Sequence, residues 1–381
     1  MNATMATNLV SLNPLITNLL HRRDFLSLAA RSALGLAVTG TLRARSADAP
    51  RMPLGLDAHS VRAMRWKAGQ LIEYAAGQKL DAVLLNSLNY FESLDTAHLK
   101  RLKETADSHG MRIYIGAGGV SENSVTFSKK YGDAEALLAE GIRVAQAVGS
   151  PVVNVRIGKV DDRYTEGGIE ARIQEAVKVL KALRRRAQDA GVKFGFENHA
   201  ADLRSEELLG LIEQVGTDVC GVMLDPGNAL WAMEDPMKQI QMLGSHVVCT
   251  SVRDYMVWES QEGATFQWTA IGDGLMDVPA FTRHMATLCP GVPLFVESIS
   301  NSARPIAFLT ADFWKGYPNL HAADLVDFLK LCRRGRPIEV IKPAPGTDAK
   351  AFEKQYQRTE FERSIAYLRR HCGAGRNHRR S

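Results

Sequence analysis

From residue 52 onward the chain alternates short apolar runs with longer stretches of 3.6-residue periodicity, and this alternation limits its fold more than any other feature. Strands are predicted at Leu54–Ala58, Ala82–Asn86, Arg112–Gly116, Val152–Ile157, Lys193–Glu197, Gly221–Asp225, Val247–Ser251 and Leu294–Glu297. The helices between them include Ala134–Val148, Gly168–Ala190, Ser205–Val215 and Pro236–Leu243. In the first of these, Leu137, Leu138, Ile142, Ala145 and Val148 form one stripe that must be covered. Gly149, Gly191, Gly216 and Gly244 stand where helices stop. Eight strand–helix units fit a (β/α)8 TIM barrel, an α/β fold. A doubly wound open sheet is the alternative, but no GxGxxG follows the first strand and no GxxxxGK[ST] occurs. Gly116-Ala117-Gly118-Gly119 has neither spacing and reads as a flexible loop after the third strand.

Past Leu320 the pattern changes. Ala322–Cys332 reads as a helix, Arg333-Arg334-Gly335-Arg336-Pro337 breaks it, Ile338–Pro345 is extended, and Ala349–Arg370 is a second helix before a basic tail. The expected organisation is therefore an N-terminal segment 1–49, a barrel over 50–320, and a C-terminal helical extension with its tail over 321–381. The extension could close the barrel bottom, cover the mouth, or join copies into a homo-oligomer. In the first segment, His21-Arg22-Arg23-Asp24-Phe25-Leu26 precedes a mildly apolar stretch to Gly40 and small residues near Ala44 to Ala49. This resembles a twin-arginine export signal and implies a periplasmic or otherwise exported protein; a retained amphipathic helix is the alternative.

Composition narrows the function classes. Hydrophobic residues are 45% and charged residues 23%, which excludes disordered, collagen-like and coiled-coil chains. No apolar run reaches the length of a transmembrane helix. The five cysteines show no CxxC spacing, against a disulfide framework or a zinc-thiolate site. The net charge of +5 comes from the two tails, where Arg22, Arg23, Arg31, Arg43, Arg45, Arg376, Arg379 and Arg380 cluster. The body between them is close to neutral, which argues against a nucleic-acid partner.

Barrel active sites lie at the C-terminal strand ends. Strand five closes on Glu197-Asn198-His199, strand six on Asp225-Pro226-Gly227-Asn228 and strand eight on Glu297. Three carboxylates ending apolar strands require a counter-charge. None of these three strands offers a basic residue at an equivalent place, so a divalent metal is the simpler expectation: Mg²⁺ or Mn²⁺ for oxygen donors, Co²⁺ or Zn²⁺ with added imidazole.

These segments resemble the sugar isomerase/epimerase barrels of the xylose isomerase-like superfamily, over about residues 52–300. Phe196-Glu197-Asn198-His199, Leu224-Asp225-Pro226-Gly227-Asn228 and Ile271-Gly272-Asp273-Gly274-Leu275-Met276-Asp277 carry the resemblance. It implies that Glu197, Asp225 and Glu297 bind one divalent metal, and that Glu197 and Glu297 are the catalytic proton-transfer pair. The family pattern His-x-Lys-Asp at strand seven is here Ser251-Val252-Arg253-Asp254. Ser251 thus stands where the histidine ligand is expected. His199, two residues beyond Glu197 on the same face, is the first substitute ligand, and His59 after strand one the second.

Arg156 and Arg253 are candidates to bind substrate oxygens or an enediolate; for Arg156 a rim salt bridge is the alternative. Asp254 reads as the structural partner of a nearby arginine. Asn228 is either a sugar-hydroxyl ligand or a turn residue, and Trp231 is the best stacking candidate for a sugar face. The expected activity is a metal-dependent sugar isomerase or epimerase working through an enediolate by carboxylate proton transfer. A lyase or dehydratase on a 3-keto sugar or glycoside shares that intermediate. A non-catalytic carbohydrate-binding barrel is the third reading.

Overall fold

The computed structural model describes residues 51–379; the export-signal motif lies outside the described residues. Eight parallel strands form one sheet in the order β10-β1-β2-β3-β4-β5-β6-β7. They are β1 (Leu54–Asp57), β2 (Ala82–Leu85), β3 (Arg112–Gly119), β4 (Val152–Arg156), β5 (Lys193–Glu197), β6 (Cys220–Leu224), β7 (Val247–Thr250) and β10 (Leu294–Val296). The ring closes through Val252 beside Val296: Val252 N–H donates to the Phe295 carbonyl (2.6 Å) and Glu297 N–H to the Val252 carbonyl (3.0 Å). The eight strands are those expected, and the fold is a TIM barrel.

Helices return the chain between strands: α1 (Ala68–Gly77), α2 (Thr96–Ser108), α3 (Ala134–Val148), α4 (Gly168–Ala182), α5 (Arg184–Ala190), α6 (Ser205–Val215), the short α7 (Pro226–Ala229), α8 (Pro236–Leu243) and α9 (Val278–Leu288). Local chemistry sets their ends. Asp133 caps α3 by accepting from Ala136 N–H, and Gly149 ends it at φ +73°, a left-handed conformation that glycine adopts without strain. Two expectations need correction. The helix expected over Gly168–Ala190 breaks at Leu183 into α4 and α5. The glycine run Gly116–Gly119 belongs to β3, because it still pairs with β4 through a register shift between Gly116 and Gly118.

Two cores result. A large one joins the outer sheet face to the helices. A smaller one fills the barrel with Ala82, Leu84, Tyr114, Val152, Met223, Cys249 and Phe295. Gly55 is needed there, since a Cβ would lie 2.4 Å from the Phe295 ring.

An unexpected layer covers part of the mouth. After β7 the chain makes a hairpin, β8 (Asp254–Ser260) and β9 (Gly263–Thr269), and β11 (Ala303–Ile306) adds to β9 antiparallel. Helix α10 (Val326–Arg334) packs on this sheet, with Phe308 and Phe328 ring centroids 6.3 Å apart. Helix α11 (Ala349–Cys372) packs beside α9 and the turn after β1 and meets Tyr74 of α1 through Phe361 and Glu362. It takes the place of the eighth barrel helix. No described helix is long and apolar enough to cross a membrane.

Candidate active site

Strand parity builds the site. Side chains alternate faces along a strand, so a residue two beyond an inward-facing one also faces inward. Two residues beyond the interior residues Leu84, Met223, Cys249 and Phe295 stand Asn86, Asp225, Ser251 and Glu297. Asp57, Arg156 and Glu197 end β1, β4 and β5 at the same mouth. Glu197, Asp225 and Glu297 are 8%, 0% and 6% exposed.

The carboxylates meet Arg253, from the segment after β7. Its Nη2 donates to Asp225 Oδ2 and Glu297 Oε2, and its Nε donates to Asp225 Oδ1 at 3.2 Å. A guanidinium thus lies against the carboxylates for which a metal counter-charge was expected, and it comes from the segment after β7 rather than from the three strands they end. Gly227 makes room, since a Cβ there would lie 2.2 Å from Arg253 Cγ. The Trp268 ring lies 4.0 Å from the guanidinium carbon, a cation–π contact, and its indole N–H donates to the Gly227 carbonyl at 2.9 Å.

Asp225 is saturated. Its Oδ1 also accepts from Gly227 N–H (2.8 Å) and Asn228 N–H (3.0 Å), and its Oδ2 from Asn228 Nδ2 (2.8 Å). Asn198 brackets the Asp225 backbone, donating to its carbonyl (2.8 Å) and accepting from its N–H (3.0 Å). Burial pushes Asp225 up to about 6, with Arg253 holding it back. Burial would also raise Glu297, but Arg253, His59 and the Ser251 hydrogen bond together carry it below the usual carboxylate range.

Ser251 donates to Glu297 Oε2 at 2.6 Å, and its Oγ lies 3.3 Å from Asp57 Oδ2. A hydroxyl has one hydrogen, so it serves the closer Glu297 oxygen first and Asp57 Oδ2 is the more distant acceptor. Burial and the Glu297 charge raise the Asp57 pKa well above normal. Asp57 Oδ1 accepts from His59 N–H and Asn86 Nδ2, each at 2.9 Å.

Glu197 is different. Its one hydrogen bond among the described residues is a long 3.4 Å contact from Asn228 Nδ2, and it forms no ion pair. Burial pushes its pKa well above normal; Arg156 opposes this, and Asp225 and Glu297 add to it. His199 Nδ1 donates to the Gly158 carbonyl, which leaves Nε2 as an acceptor. Burial lowers His199 to about 3, so the ring is neutral. The loop carrying it places Ala200 and Ala201 at φ +45° and +62°, two strained conformations in a row. Asp202 holds that loop, accepting from His199 N–H (2.8 Å) and Gly158 N–H (3.0 Å). His59 is likewise driven toward neutrality by burial.

The structure thus joins Glu197, Asp225, Asn228, Arg253 and Glu297 in one contact network. His199, His59 and Arg156 lie within electrostatic reach of Glu297 or Glu197 but make no hydrogen bond to them. Trp231 packs edge-on against Phe266 and Trp268, with Arg304 of β11 over both tryptophans. Asp254 accepts four backbone N–H groups, from Tyr255, Gly272, Gly274 and Met276, rather than an arginine. Asp57, Asp202 and Arg304 were not anticipated; parity marks Asp57, while Asp202 lies in the loop after β5 and Arg304 on β11, outside the barrel strands.

These donors do not fit a divalent metal. Both Asp225 oxygens and Glu297 Oε2 are taken by the guanidinium, and the strand-seven imidazole is a serine. Among the described residues no group of three or more His, Cys, Asp or Glu side chains is placed to hold an ion.

A protein of Pectobacterium atrosepticum named 3-oxo-isoapionate decarboxylase is 23% identical over 252 residues, covering 65% of this chain and 78% of that protein. D-Psicose 3-epimerase from Clostridium cellulolyticum H10, solved with D-tagatose, superposes with a TM-score of 0.53 at 14% identity, covering 84% of this chain and 99% of that one. A xylose isomerase domain protein from Planctomyces limnophilus gives 0.50 at 19% identity over 65% of this chain and 91% of its own. At these identities the two structures establish the fold. Residues 72–332, well over half of the chain, match the Xylose isomerase-like TIM barrel family, and the chain belongs to it.

Proposed function

We propose that this protein is a lyase acting on a small carbohydrate-derived carbonyl compound through an enolate, with Glu197 delivering the proton. The observation that carries this reading is the inequality of the carboxylates. Asp225 and Glu297 are committed to Arg253, whereas Glu197 is buried without a cation partner and holds its proton above the ordinary carboxylate range. A buried neutral carboxylic acid is a proton donor.

In a lyase reaction the breaking bond supplies the electron pair. If a β-keto acid loses CO₂, the pair of the broken C–C bond moves onto the carbonyl oxygen and gives an enolate. Nη1 of Arg253 makes no hydrogen bond among the described residues and can donate to that oxygen. Glu197 then protonates the carbon and recovers its proton from solvent. Such a reaction needs one free carboxyl group. The decarboxylase relative supports the reading.

A second reading, epimerisation, draws on His199. Its neutral ring with an open Nε2 would be a second base beside Glu197. Arg22-Arg23 and Phe25-Leu26 support export by the twin-arginine route, and with it an activity outside the cytoplasm as part of this proposal.

The test is turnover of β-keto sugar acids and 3-keto sugars in D₂O. We expect a product with one solvent deuterium on the former α-carbon, and about a 10³-fold slower reaction in Glu197→Gln. Undiminished turnover in that variant would discard Glu197 as the proton donor. An epimerised sugar as sole product would select the second reading.

A further inference from the structure

We propose that Arg253 and Ser251 together replace the divalent metal of this barrel type, so that the guanidinium is the site's resident cation and acts without any metal ion.

The first argument is the capacity of the oxygens. A carboxylate offers about four lone-pair sites. Asp225 receives five donors: two backbone N–H groups, the Asn228 amide and two N–H groups of Arg253. No lone pair remains for a metal. Glu297 Oε2 already takes both the Ser251 hydroxyl and Arg253 Nη2.

The second argument is the construction of the arginine site. The side chain is 3% exposed, passes over the bare Cα of Gly227 and lies against Trp268. A buried guanidinium held by two carboxylates and an indole face is fixed in position. A divalent ion placed between the same carboxylates would have to expel it or sit against it, and like charges at such distances repel strongly away from water.

The third argument concerns Ser251. Its place, two residues before Arg253 on the inward parity, is the one where an imidazole would complete a ligand set. A serine instead donates a hydrogen bond to Glu297, the carboxylate that Arg253 neutralises. Both changes at strand seven serve one arrangement: the first removes a ligand and the second supplies a permanent charge. A guanidinium stays protonated over the whole working pH range and offers directed N–H donors. Nη1 is left for an oxygen of the substrate. The inference holds whichever bond the site breaks.

The experiment needs no substrate. The full chain is purified, its metal content measured, and Mn²⁺ titrated while the free-ion resonance signal and the melting temperature are followed. We expect substoichiometric metal, no loss of free Mn²⁺ signal and no change in melting temperature on adding EDTA. One equivalent of tightly held metal, released by EDTA with a fall in melting temperature, overturns the proposal. The reciprocal test is Ser251→His combined with Arg253→Lys, which should bind Mn²⁺ at least tenfold more tightly than the wild type. Should that pair not fold, Arg253→Met serves instead, since Mn²⁺ should raise its melting temperature and leave the wild type's unmoved. Variants that fold and bind no more Mn²⁺ than the wild type would show that the arginine displaces nothing, and would also overturn it.

Discussion

The two walls of the barrel mouth treat buried charge in opposite ways. On the wall built by β6, β7 and β10, Asp225 and Glu297 close on Arg253, and Ser251 ties Glu297 toward Asp57. On the wall built by β4 and β5, Glu197 has Arg156 within electrostatic reach, but no hydrogen bond or ion pair joins them. Both walls bury their carboxyl groups and so take them out of water. On the first, the cost is offset by pairing and the charges persist. On the second it is not, and the Glu197 pKa rises well above normal, whereas Arg253 holds Asp225 back to about 6 and carries Glu297 below the usual range. A paired carboxylate anchors the site, while an unpaired one can exchange a proton.

The sharpest way to break this contrast is Arg253→Met. Removing one partner of a buried ion cluster leaves charges without compensation, at a cost of about 3–5 kcal/mol. Urea unfolding of the variant at neutral pH should show that loss, and activity should fall with it. A loss below about 1 kcal/mol, the range of solvent-exposed ion pairs, would mean that the paired wall is not held by its pairing.

Glu197→Gln sharpens the other wall through pH. The folded-state pKa of Glu197 is raised, so between the unfolded value near 4.3 and the higher folded value the native state binds more protons. Its contribution to stability therefore falls as pH rises through that window, by about 1.4 kcal/mol per pH unit where a full proton separates the two states. Glutamine removes this dependence. Relative to the wild type, the variant should gain stability as pH rises from 4 to 8 while its catalysis is lost. Parallel stability–pH curves for the two proteins would place Glu197 in an ordinary solvated setting.

The barrel was legible because its signal is repetitive: eight apolar runs, each closed by a helix with a glycine stop, admit few arrangements. The site carboxylates were legible for a related reason, since an acid ending an apolar strand stands out. The identity of their cation was not. Arg253 is close in sequence to Ser251 but reaches Asp225 only because Gly227 leaves the space, and no one-dimensional pattern shows that three segments share a volume. The hairpin β8–β9 with β11 was hidden differently: Arg304 and Trp268 are brought together by pairing across more than thirty residues of chain. Nor did the break after Leu320 mark the end of the barrel, because α11 packs beside α9 as its eighth helix.

The smallest expected effect comes from Ser251→Ala, which tests whether the two walls differ by design or by the accident of one arginine. The serine hydroxyl donates to an ionised carboxylate, an interaction worth about 2 kcal/mol. Its removal also takes away the hydroxyl beside Asp57 Oδ2. The depressed pKa of Glu297 stabilises the fold above its unfolded value near 4.3, and that stability disappears as pH falls through the folded value. Without Ser251 the Glu297 pKa should move back toward normal. The variant should therefore be less stable than the wild type at pH 7, and the gap should close on acidification as Glu297 is protonated in both proteins. A gap that stays constant down to pH 3 would mean that Ser251 acts by packing alone, and that Arg253 by itself sets the paired wall apart from Glu197.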